Sequence, residues 1–241
     1  MKEDIRTPEG VRSFSDAQLH TRDMAAAALT CDIILDIFVL GCLCLFFFIG
    51  ENEEMNGVKS LRYFTVNSCI LSALVSTLTA GFIAHWLRTG IRVPYWASCL
   101  KFAGISSICI TFTVTMTVFV YSLFSGIGTF GSELGFDRIL SGSNLFMHLI
   151  CPILGIASLI MEPGCRLKWR AVWLSFIPTG IYSILYLIFA LHISRENGGW
   201  SDLYAVSSVG AASAAFSLGI ITLAVSAVLM KLQHLFKPHV C

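Results

Sequence analysis

Six apolar runs follow one another along this chain, separated by short charged stretches. They cover residues 25–49, 61–87, 99–123, 142–161, 170–192 and 203–230. Each approaches or exceeds the roughly 20 residues that a helix needs to cross a hydrocarbon core about 30 Å thick. Lipid offers no water to unpaired backbone groups, so each run must satisfy its own hydrogen bonds as a helix. Its apolar residues are continuous, where the strand of a membrane barrel would alternate. The sequence therefore predicts an all-α polytopic membrane protein with six transmembrane helices: an N-terminal tail (1–24), a membrane domain (25–231) and a C-terminal tail (232–241). Only 13% of the residues are charged, against about 25% in a soluble domain, which excludes an ordinary water-soluble fold.

Basic residues orient the helices. Lys2, Arg6, Arg12 and Arg22 in the N-terminal tail fall on one side with Arg88, Arg92 and Lys101 (second loop), Arg166, Lys168 and Arg170 (fourth loop), and Lys231 and Lys237 at the C-terminal end. The other side holds only Lys59, Arg62, Arg138 and Arg195. By the positive-inside rule both termini are expected in the cytoplasm. The N-terminal tail lacks the apolar run and cleavage site of a secretory signal; Val11, Phe14 and Leu19 could lay part of it on the bilayer surface. A net charge of +1 leaves no basic face for nucleic acid. The nine cysteines show neither metal-site spacing nor a disulfide framework; Cys31, Cys42, Cys44, Cys69, Cys99, Cys109 and Cys151 read as core residues, and Cys165 and Cys241 as cytoplasmic thiols.

Polar residues inside apolar runs are costly and mark sites of interest. His148 stands in the fourth run with Asn144 one turn before it and Pro152 one turn after it. The proline cannot donate to the carbonyl four residues earlier, that of His148. Thr65 enters the second run from the same side, which places the two at a similar depth in the outer leaflet. A hydroxyl and an imidazole are the pair that nucleophilic acyl transfer needs. The plainer readings are a threonine bonded back to its own helix and a histidine joining helices. His192 ends the fifth run, and the following loop contains Arg195, Glu196, Trp200 and Asp202 before Tyr204; Glu133 and Asp137 lie in the third loop. Asn67, Asn144 and His192 are candidates to orient the histidine or hold an oxyanion, and Trp200 a candidate substrate contact. In the first run, Asp32 and Asp36 lie one turn apart. They are a candidate ion or proton site, or else polar groups satisfied between helices, with at least one protonated or paired. Thr111, Thr113, Thr115 and Thr117 alternate along the third run and read as helix-packing residues.

Arg62-Tyr63-Phe64-Thr65, followed by Asn144-x-x-x-His148-x-x-x-Pro152, resembles the androgen-induced family of six-span membrane proteins and its bacterial relatives. The similarity extends over runs two to six, with His192 and Trp200 matching a histidine and an aromatic loop. Some animal members are threonine hydrolases of fatty acid esters of hydroxy fatty acids. The resemblance implies that Thr65 takes the nucleophile position and His148 the catalytic histidine position, that the substrate is a lipid drawn from the bilayer, that no metal or cofactor is required, and that a bacterial relative sits in the inner membrane. The alternative is a small transporter or lipid-binding protein using Asp32, Asp36 and His148 as an ion or proton path.

Overall fold

The computed structural model describes residues 8–49, 56–125, 142–164, 166–193, 197–202 and 206–237, and for residues 8–20 and 118–125 the backbone alone. Cys165, Cys241, Glu133, Asp137, Arg138, Arg195, Glu196 and Tyr204 lie outside the described residues, and the side chains of Val11, Phe14 and Leu19 are likewise not described. Six helices are long and apolar enough to cross a membrane: α1 (Thr21–Ile49), α2 (Phe64–Thr89), α3 (Tyr95–Thr117), α4 (Gly142–Met161), α5 (Trp169–His192) and α6 (Ala211–Phe236). No strand occurs among the described residues.

The helix ends differ from the apolar runs where local chemistry intervenes. A 3-10 turn, Gly57–Arg62, precedes α2, so Thr65 falls in the first turn of that helix. Asn67 Nδ2 donates to the carbonyls of Leu61 at 2.7 Å and Tyr63 at 3.0 Å, pinning that turn against the helix start. Before α6 comes a short helix, Val206–Val209, ended by Gly210 at φ 90°, a conformation that favours glycine. Helix α3 begins at Tyr95 and takes in Lys101, which the charge pattern places in a loop. Lys101 is instead fully buried between helices, and its removal from the loop leaves the charge asymmetry intact.

Close packing comes from small residues, as it must where lipid provides no hydrophobic drive between helices. Ser68, Ser72, Ser76 and Thr79 form a buried row along α2. Ser72 Oγ donates to Gly104 O of α3 at 2.8 Å, and a Cβ on Gly104 would come within 2.7 Å of Val75 Cγ2. Gly155 of α4 meets α3 in the same way, at Ile105 and Ile108. The thiols of Cys42, Cys69, Cys99, Cys109 and Cys151 are buried as small core groups, while Cys31 is half-buried and Cys44 exposed.

Candidate active site

An apolar cavity of about 260 Å³ opens between α2, α3, α5 and α6, at the bundle end where α2 and α6 begin. Phe64 and Thr65 of α2, Thr111 and Thr115 of α3, and Tyr182 and Tyr186 of α5 contribute to its wall, and alanines of α6 leave room for it. Two tyrosines lock its rim: Tyr182 donates to Arg62 O at 2.7 Å, and Tyr186 to Asp202 Oδ1 at 2.8 Å. Asp202 also accepts from the backbone N–H groups of Val206 at 2.9 Å and Ser207 at 2.7 Å, capping the short helix. Burial raises the Asp202 carboxyl, but the hydrogen bonds from Ser207, Tyr186 and Val206 outweigh it and bring its pKa down to about 2. Trp200 stacks on Phe189 at 5.0 Å between ring centres and stands 6.2 Å from Tyr186 and 6.4 Å from Tyr182, an aromatic cover beside the rim.

His148 lies behind the α3 wall. It occupies a π-helical turn, Phe146–Ile150, in which the N–H of Cys151 bonds to the carbonyl of Phe146, five residues back. In that register Pro152's missing donor falls opposite Met147 O, one residue before the carbonyl expected from α-helical spacing. Cys69 Sγ approaches this oxygen at 3.9 Å, so α2 and α4 do touch, one turn along α2 from Thr65. The imidazole itself turns to α3, where Nδ1 lies 3.1 Å from Thr115 Oγ1. Among the described residues no hydrogen bond joins His148 to Thr65, Asn67 or His192.

Comparison of the chain with family models, curated proteins and solved structures finds no match. The chemistry of the site must therefore carry the functional reading.

The structure brings Thr65 and Thr115 into one cavity and His148 against Thr115, and it separates the remaining candidates. Asn67 is held by backbone carbonyls, and His192 is exposed at the end of α5. Asn144 lies in the first turn of α4, before the π-helical turn of His148. Asp32 and Asp36 are not in the cavity wall. Asp32 Oδ2 accepts from Lys101 Nζ at 2.7 Å and Oδ1 from Ser158 Oγ at 2.7 Å, all three buried. Glu162 Oε2 lies 3.7 Å from the same ammonium, and its other oxygen accepts from Ser98. Asp36 accepts from Thr77 Oγ1 at 2.7 Å. Sequence inspection missed Thr115, hidden in a row of four alternating threonines, and Lys101, which its charge assigned to a loop.

Proposed function

We propose that this protein is an intramembrane hydrolase of fatty-acyl esters, in which a threonine hydroxyl of the cavity attacks the ester carbonyl and His148 is the general base. The observation that carries the reading is a hydroxyl–imidazole pair, Thr115 and His148 at 3.1 Å, whose hydroxyl member lines an apolar cavity. Such a cavity suits an acyl chain, and the pair supplies what ester cleavage requires: a nucleophile, and a base that later returns the proton to the leaving alkoxide. Thr65 holds the nucleophile place in the resembled family and lines the same cavity. Its position in the first turn of α2 sets it at the positive end of that helix dipole, where charge on a developing oxyanion is stabilised. On the positive-inside rule this end of the bundle lies in the outer leaflet; a bacterial inner membrane and entry of substrate from the lipid are what the family resemblance implies.

The transport reading draws less support, because Asp32 is already balanced by Lys101 and bonded by Ser158. Purified protein in nanodiscs is expected to release fatty acid from a fluorogenic long-chain acyl ester. His148→Ala should abolish release without changing the elution profile or the yield. Equal turnover in wild type and His148→Ala would sink the hydrolase reading.

A further inference from the structure

Threonines inside membrane helices usually spend their hydroxyls on their own backbone. Along α3, Thr111 Oγ1 donates to Ile108 O at 2.7 Å, Thr113 Oγ1 to Cys109 O at 2.8 Å and Thr117 Oγ1 to Thr113 O at 2.7 Å. Thr115 breaks the row, with its hydroxyl against His148 Nδ1 across the helix interface. It is also the member of that pair that reaches the cavity, since no residue of α4 contributes to the wall. Other wall hydroxyls have different partners: Ser183 bonds to Thr179 O, and Tyr182 and Tyr186 bond to Arg62 O and Asp202. Thr65 Oγ1 makes no hydrogen bond among the described residues. One cavity hydroxyl thus combines a basic partner with access to a bound acyl group.

We propose that Thr115 is the nucleophile that His148 activates, and that Thr65, on the same cavity wall, is a donor to the ester carbonyl. The inference rests on the hydrolase reading above. With its proton on Nε2, His148 accepts the Thr115 hydroxyl proton at Nδ1 as Oγ1 bonds to the carbonyl carbon. The carbon–oxygen bond to the alcohol portion then breaks, and the leaving alkoxide takes the proton from Nδ1. A water molecule reverses the sequence: it gives a proton to Nδ1, attacks the acyl carbon and releases the fatty acid, and Thr115 regains its proton. The transferred acyl group is accounted for by ester and water alone.

A long-chain alkyl fluorophosphonate tests the assignment, because an activated hydroxyl forms an oxygen–phosphorus bond with it as fluoride leaves. Mass spectrometry of labelled wild-type protein is expected to place the adduct on the peptide containing Thr115. Thr115→Val and His148→Ala should each lose the label and at least a hundredfold of ester turnover, Thr115→Ser should retain both, and Thr65→Ala should still be labelled but turn over more slowly. An adduct on Thr65, or wild-type turnover in Thr115→Val, would overturn the role of Thr115 and leave the hydrolase reading standing. An active enzyme in which neither threonine is labelled would overturn it too. Absence of ester turnover in wild-type protein across a series of acyl lengths would overturn both. Mapping the adduct needs no variant, so a folding defect in Thr115→Val cannot mask the answer.

Discussion

Lys101 shows how far a single residue's role depends on its surroundings. In sequence it is one more positive charge beside a cluster of loop arginines; in the fold its ammonium is buried, 2.7 Å from both Asp32 Oδ2 and Ser158 Oγ. Removing one partner of a buried pair strands the other's charge, at a cost of about 3–5 kcal/mol. Lys101→Met should therefore lower the melting temperature in detergent sharply, and adding Asp32→Asn should restore much of the loss; a Lys101→Met protein as stable as wild type would contradict the pairing. Asp202 gives a pH test. Its carboxyl is held at about 2 in the fold, below the ordinary carboxylate range. A depressed folded-state value means that the stabilisation is full above the ordinary range and is lost as pH falls through about 2. Acidification across that window should loosen the Trp200 cover, seen as a change in tryptophan fluorescence that Trp200→Phe diminishes and Asp202→Asn shows already at neutral pH.

At the level of elements, helix α4 is the decisive one. Its π-helical turn sets the direction of the imidazole, and the proline after it withholds the N–H that would favour ordinary α-helical spacing. Pro152→Ala supplies that donor. The expected result is a higher melting temperature with a loss of ester turnover, as His148 rotates away from Thr115; unchanged turnover would show that the π-helical turn does not position the base. Part of this was legible in sequence: His148 and its proline both stand out in an apolar run. The imidazole's partner was not. Four threonines alternating along α3 look alike until the neighbouring helix selects one, and only the Thr115 hydroxyl of the four then has its partner on another helix.

Across the whole molecule, an even number of crossings puts the ends of the membrane domain on one side. By the positive-inside rule that side is expected to be the cytoplasm, and the expectation is unchanged when Lys101 leaves the loop count. Reporter fusions after α6 should be active as cytoplasmic fusions, and a cysteine introduced near Lys59 should react with a membrane-impermeant thiol reagent added outside, in a background with Cys44 replaced. The opposite pattern would turn the cavity toward the inner leaflet. The number of helices, their class and most of their boundaries were legible in sequence alone, because the apolar length and the scarcity of charge answer to the bilayer whatever the neighbours are; the sixth is the exception, since the run predicted at 203–230 is a helix over Ala211–Phe236, set off by Gly210 from the short helix before it. Tertiary packing decided which helices adjoin and how each is rotated. It took Lys101 out of the loop and into an ion pair, committed Asn67 to a helix start, and gave His148 to Thr115, because such contacts depend on side chains from separate helices meeting across an interface that no single run of sequence contains.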